Sequence, residues 1–218
     1  MRINKFVAQA TGLSRRAADR IIEEGRVAIN RQATSPGDSV GDNDTVELDG
    51  QVISAAAEHL TIILNKPPGY VCSRAGQGSR TIYELLPPEY HRLKPAGRLD
   101  KESSGLLLLT DDGDLANRLT HPKYAKTKVY EVSLDKPLAA LDKTKLEQGV
   151  KVDDYISRLQ LSAIDNRTWQ VSMSQGRNRQ IRRSFAALGY TVEALRRDHF
   201  GPYSLDGLAA GKYRICYA

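Results

Sequence analysis

The segment Gly97-Arg98-Leu99-Asp100-Lys101-Glu102-Ser103-Ser104-Gly105 runs directly into Leu106-Leu107-Leu108-Leu109, and no other stretch constrains the fold as tightly. Four consecutive leucines between Gly105 and Thr110 read as a short strand buried on both faces. Gly97 and Gly105 bracket the segment with residues that permit sharp turns or close backbone approach. A charged Asp beside a buried strand is costly unless it is paired. Asp100 is therefore either locked in a structural ion pair or held for chemistry.

The rest of the pattern predicts an α+β chain of two units. At 218 residues, one large domain or two small ones are possible. Ser54-Ala55-Ala56-Ala57-Glu58-His59 has weak periodicity and joins two patterned regions, which places domains at residues 1–57 and 60–218. In the first, Ile3, Phe6, Val7 and Ala10 recur at helical spacing up to Thr11-Gly12. Ser14 N-caps a second helix with Ala17, Ala18, Ile21 and Ile22 on its apolar face, stopped by Gly25. Val27 with Ile29, and Val46 with Leu48, alternate as strands around the Pro36-Gly37-Asp38 turn. In the second region, residues 61–64, 129–134 and 169–174 have strand character. Leu138, Leu141 and Leu146 suggest one helix; Ile181, Phe185 and Leu188, stopped by Gly189, suggest another. Strands joined by hairpins and helices imply an α+β domain with a mixed, mainly antiparallel sheet rather than an alternating parallel one.

Charge adds the class of partner. The formal net charge of +6 favours a polyanion. Residues 1–31 hold seven Lys or Arg against three acids, whereas residues 32–58 hold six acids and no Lys or Arg. Arg15, Arg16 and Arg20 lie off the apolar stripe of the second helix, and Arg26 follows its end. They form either a solvated face or a phosphate-contacting one. Arg2-Ile3-Asn4-Lys5 and the run from Ser14 to Asn30 resemble the small RNA-binding domain named after ribosomal protein S-four, the alpha-L motif. That resemblance covers roughly residues 1–50 and implies RNA contacts from Lys5, Arg15, Arg16, Arg20 and Arg26.

A second basic cluster opens the late helix, as Gln175-Gly176-Arg177-Asn178-Arg179-Gln180-Ile181-Arg182-Arg183. From 175 to 197 there are six arginines and one acid, Glu193. Most suit an RNA-facing surface, but Arg182 adjoins Ile181 and turns inward if it has a carboxylate partner, for which Asp100 is the natural candidate. Tyr130, on the strand Lys128-Val129-Tyr130-Glu131-Val132, is either core or a base-stacking platform.

These blocks, in this order, resemble the RsuA/RluB-type ribosomal RNA pseudouridine synthases. Asn65-Lys66-Pro67-Pro68-Gly69-Tyr70, Leu195-Arg196-Arg197-Asp198-His199-Phe200-Gly201 and Leu205-Asp206-Gly207-Leu208 extend the likeness over nearly the whole chain. Ser103-Ser104, Ser184-Phe185 and Phe200 depart from the usual pattern without removing a catalytic group. The resemblance implies Asp100 as the catalytic aspartate, Tyr130 as the tyrosine stacking on the target base and Arg182 as the basic partner of the aspartate. It further implies Leu195 beneath the base, with Arg98, Arg177 and Arg179 on substrate. Uracil would be detached from ribose, turned and rejoined through carbon. The implied partner is ribosomal RNA or an assembly intermediate, with large-subunit RNA favoured over small. An isomerisation of this kind calls for no redox cofactor, nucleotide or metal, and a monomer suffices.

Competing chemistries find little support. Cys72 and Cys216 are far apart, which argues against a disulfide framework or thiolate zinc site and suits a reducing cytoplasm. Asp111-Asp112-Gly113-Asp114 lacks the further ligands of a calcium loop and reads as a turn in which Asp114 caps a helix over residues 115–119. His121-Pro122 reads as a loop element rather than a general base. Gly76-Gln77-Gly78 lacks the third glycine of a dinucleotide fingerprint, and there is no phosphate-binding glycine loop. No apolar run suggests a signal core or membrane span. An aspartate-dependent phosphohydrolase would need a second ligand motif. The main rival is a non-catalytic RNA-binding or ribosome-assembly factor on the same scaffold. Such a factor would not need Asp100, Tyr130 and Arg182 together.

Overall fold

Local chemistry sets the elements of the front unit. Helix α1 (Ile3–Thr11) stops at Gly12, whose left-handed backbone lets its N–H return to the Ala8 carbonyl. Helix α2 (Arg15–Glu23) starts where Ser14 Oγ accepts from the Ala17 N–H at 3.1 Å. Strands β1 (Val27–Ile29), β2 (Gln32–Ala33), β3 (Val46–Leu48) and β4 (Gln51–Ile53) form an antiparallel sheet in the order β2-β1-β3-β4. Ile3 and Val7 of α1, Ala18 and Ile22 of α2, and Val27, Val40 and Val46 make its core.

The computed structural model describes residues 1–54 and 59–216. The junction placed at residues 54–59 thus falls largely on 55–58, outside the described residues. Packing divides the chain into Met1–Leu60 and Thr61–Ala218.

The second unit is built on one large sheet. Its elements are β5 (Thr61–Lys66), β6 (Lys94–Ala96), β7 (Ser104–Thr110), α3 (Gly113–Thr120), β8 (Lys128–Leu134), α4 (Ala140–Gln148), β9 (Val150–Val152) and β10 (Tyr155–Ser157). They are followed by β11 (Gln160–Ala163), β12 (Thr168–Met173), α5 (Gln180–Ala186), β13 (Val192–Phe200), β14 (Tyr203–Ser204) and β15 (Tyr213–Cys216). The strand order is β11-β12-β8-β13-β7-β5-β15, with β14 on β13 and β6 on β7; β9 and β10 form a separate hairpin. Only β13 and β7 run parallel, so the sheet is mixed and mainly antiparallel.

Strand β7 is its centre. All four leucines from Leu106 to Leu109 are wholly buried. Leu106 and Leu108 join Ile63, Ala96, Leu119 and Phe200 in one apolar cluster. Along its other edge β7 meets β13 at Ser104 and Gly105 and β6 at Leu108 to Thr110. A Cβ on Gly105 would sit 2.3 Å from the Arg197 carbonyl oxygen, and its φ is +101°. Glycine is what allows β13 to come this close.

Three local expectations change. Asp112, not Asp114, caps α3: its Oδ1 accepts from the Asp114 and Leu115 N–H groups at 2.8 and 3.0 Å. Helix α5 ends at Ala186, so Leu188 lies beyond it. Helix α4 begins after Leu138 and leaves Leu141 67% exposed, so only Leu146 of that trio is a buried helical residue.

Candidate active site

Asp100 sits in the turn between β6 and β7, and that turn is fastened on both sides. Before it, the Leu99 N–H and carbonyl both meet Cys72 Sγ, at 3.4 and 3.3 Å. Within it, the Ser103 N–H donates to the Asp100 carbonyl at 3.1 Å, and the Gly69 N–H to the Lys101 carbonyl at 2.7 Å. After it, the wholly buried Lys66 points its Nζ at the carbonyls of Ser103 (2.6 Å), Pro67 (3.1 Å) and Lys101 (3.3 Å). Burial pushes the Lys66 pKa down, against the opposing pull of Cys72, Glu102 and Asp100. Three carbonyl acceptors replace the lost hydration. The Asp100 side chain itself keeps 30% exposure and faces a cleft of about 880 Å³.

The sheet supplies the cleft floor. In the β8–β13 ladder Tyr130 stands opposite Arg197, and Leu195 lies two residues along the same strand. Period-two geometry puts Leu195, Arg197 and Tyr130 on one face. All three are buried and line the cleft with Asp100, Ile181 and Phe200. Around the rim stand Arg98, Lys101, Arg177 and Arg179, all exposed. The Arg177 guanidinium lies 4.2 Å from the Tyr155 ring centroid.

The partner of Asp100 is the main correction. Arg179 Nη1 lies 3.6 Å from Asp100 Oδ2 and 3.3 Å from Glu102 Oε2, where Arg182 was expected. Arg179 takes a left-handed backbone (φ 48°) just ahead of α5, which turns its side chain to the cleft. Arg182 sits further along the helix, half-buried, and its Nη1 donates to the Val192 carbonyl of β13 at 2.6 Å. Among the described residues its buried Nε and Nη2 have no hydrogen-bond partner. Burial and the charge of Arg179 depress its pKa, while Asp100 and Glu102 act the other way. Asp100 is thus within electrostatic reach of Arg182 but not paired with it.

A family model described as RNA pseudouridylate synthase matches residues 60–187, and an S4 domain model matches residues 1–46. The chain belongs to the RNA pseudouridylate synthase family. The ribosomal small subunit pseudouridine synthase A of Pasteurella multocida is 36% identical over 98% of this chain and 95% of its own length. The ribosomal large subunit pseudouridine synthase B of Bacillus subtilis is 35% identical over 98% of this chain and 91% of its own length. A crystal structure of a pseudouridylate synthase superposes with a TM-score of 0.72 at 32% identity, covering all of this chain and 96% of that one. The chain is therefore an RNA pseudouridine synthase, an isomerase with an S4 domain at its front and RNA as its partner.

Within this synthase the S4-domain cations differ in availability. Arg26 is held by Asp49 at 2.6 Å and Glu24 at 3.5 Å, and these acids raise its pKa. Arg15 donates to Asn4 Oδ1 at 2.9 Å, and Lys5 is half-buried. Arg16 and Arg20 are exposed, and among the described residues neither pairs with a carboxylate.

Sequence reasoning gave no role to Lys66, Cys72, Lys128 or Arg197. Lys128 donates to the Lys126 and Ser174 carbonyls at 3.2 and 3.0 Å, beside the Phe200 ring. The available signal was a cation at a core position: Lys66 ends an apolar run, and Arg197 follows Leu195 at strand spacing. Among the described residues no cluster of His, Cys, Asp and Glu could hold a metal ion, and no helix is long and apolar enough to cross a membrane.

Proposed function

We propose that this synthase isomerises a uridine of ribosomal RNA, with residues 1–57 supplying affinity and residues 60–218 the chemistry. Relatives that act on small- and on large-subunit RNA stand equally near, at 36% and 35% identity, so ribosomal RNA as a class is the substrate proposed. Extruding a base from its stack costs a few kcal/mol. Stacking on Tyr130 above Leu195 returns about 1–3 kcal/mol, and phosphate contacts from Arg98, Arg177 and Arg179 add to it. Asp100 is the catalytic carboxylate. Arg179 lies beside it at 3.6 Å, and Arg182 is within electrostatic reach. The N1–C1′ bond of the nucleotide breaks and a C5–C1′ bond forms; C5 gives up its proton and N1 gains one. The oxidation state does not change, so the reaction needs no cofactor. One chain carries every group named, so a monomer in the cytoplasm suffices.

The observation that carries this reading is the Asp100 turn, fastened by Lys66 and Cys72 at the mouth of a cleft floored by Tyr130 and Leu195. The test is a pseudouridine map of both ribosomal RNAs in cells lacking the protein, restored with wild type or Asp100→Asn. One site is lost and only wild type rescues it. Purified Asp100→Asn keeps RNA affinity within about tenfold, or 1.4 kcal/mol. Rescue by both proteins, or no lost site, favours an RNA-binding assembly factor instead.

A further inference from the structure

We propose that Arg197 reads the target base: a guanidinium N–H on its cleft side donates to a carbonyl oxygen of the extruded uracil. The inference rests on the isomerase reading above and adds the contact that retains the ring.

Arg197 is only 2% exposed, yet it lines the cleft. Its Nε donates to the Leu106 carbonyl at 2.9 Å, which anchors the guanidinium to β7. The guanidinium carbon lies 4.8 Å from the Phe200 ring centroid. Among the described residues no carboxylate pairs with it, and its buried Nη2 meets no acceptor. A cation this deep, with no counter-charge and a buried Nη2 left unfilled, lowers the stability of the free protein. A ligand acceptor on the cleft side of the guanidinium offsets that deficit.

Position selects the base over the phosphate. The cleft cations Arg98, Lys101, Arg177 and Arg179 stand exposed at the rim, where phosphates keep their water. Arg197 lies instead among Tyr130, Leu195, Ile181 and Phe200, surfaces suited to a planar ring. Uracil offers two carbonyl oxygens there. A half-turn about the axis through N3 and C6 exchanges N1 with C5, and with them O2 with O4. One fixed donor therefore finds an oxygen in the same place before and after the turn. Arg197 can hold the ring in substrate and product orientations alike, bridging the interval in which neither N1 nor C5 is bonded to C1′ of the ribose.

The test uses the full chain and an RNA oligomer spanning the uridine located by the map, with that uridine intact or replaced by 2-thiouridine or 4-thiouridine. Sulfur is a weak acceptor. Single-turnover rates and KM are measured for wild type, Arg197→Met and Arg197→Lys. Wild type is expected to lose about tenfold on at least one thio substrate, the scale of one charged hydrogen bond. In Arg197→Met the uridine rate falls by a similar factor, but the sulfur penalty shrinks below about twofold, and Arg197→Lys restores part of both. A merely structural arginine would slow all three RNAs equally. Equal sulfur penalties in wild type and Arg197→Met overturn the proposal. So do equal wild-type rates on all three RNAs, a result that needs no folded variant. If wild type fails to convert the unmodified oligomer, the isomerase reading falls, and this inference with it.

Discussion

At the scale of single residues, Arg182 sets fold against function. Among the described residues its guanidinium makes one bond, to the Val192 carbonyl at 2.6 Å, and leaves two buried nitrogens without partners. Losing a hydrogen bond from a charged group costs about 1.5–3 kcal/mol and strands the Val192 carbonyl at about 1–3 kcal/mol more, while each of the two buried unfilled nitrogens removed returns about 1–3 kcal/mol. The two effects nearly cancel if the stem's packing is kept. Arg182→Met is therefore expected to melt within about 4 °C of wild type, the shift that 1 kcal/mol produces in a chain of this size. Turnover should nevertheless fall by about a hundredfold, because a cation near Asp100 is gone. Thermal unfolding and single-turnover kinetics on the same preparation decide it. A fall in melting temperature beyond about 10 °C would make Arg182 a structural residue. Arg179 differs in kind: it is 44% exposed and shared between Asp100 and Glu102, so its contribution to stability is small.

At the scale of elements, the site depends on how closely β13 approaches β7. Gly105→Ala would set a Cβ 2.3 Å from the Arg197 carbonyl oxygen and 2.6 Å from its nitrogen, at a φ of +101°. Those are backbone atoms, so the strands must part. Overpacking and backbone strain together predict a loss of about 2–4 kcal/mol, read as a lower urea midpoint at unchanged slope. A midpoint matching wild type would show that the strands separate freely. The same elements show what sequence reveals. Leu106 to Leu109 were legible because four apolar residues in a row leave no polar face. The arginine cluster at 177–183 was legible as a cluster, but not which member reaches Asp100. That depends on the left-handed backbone of Arg179, a residue type that gives no hint of it. Arg197 escaped because an arginine reads as a surface residue, and a register shift between Arg197 and His199 takes the buried Phe200 out of step with the Leu195–Arg197 alternation. The cap of α3 was misplaced by two residues because three aspartates compete for it, and only backbone geometry selects Asp112.

At the scale of the whole molecule, a net charge of +6 draws the chain to RNA, but not every arginine is free to act. In the S4 domain, Arg26 is already engaged by Asp49 and Glu24, whereas Arg16 and Arg20 are exposed on α2 and pair with no carboxylate among the described residues. Each phosphate neutralised releases counterions and contributes about 0.7–0.9 to the slope of log affinity against log salt. The double variant Arg16→Gln, Arg20→Gln should therefore lower that slope by about 1.4–1.8. Arg26→Gln should change it by less than about 0.5, because its charge is already largely compensated. Titrations of RNA from low to moderate salt, with each protein, give both numbers. At saturating RNA the double variant should turn over like wild type, because Asp100, Tyr130 and the arginines of the cleft all belong to the other unit. An unchanged slope would mean that α2 faces something other than phosphate. A reduced rate at saturation would mean that the S4 domain orients the target as well as capturing it.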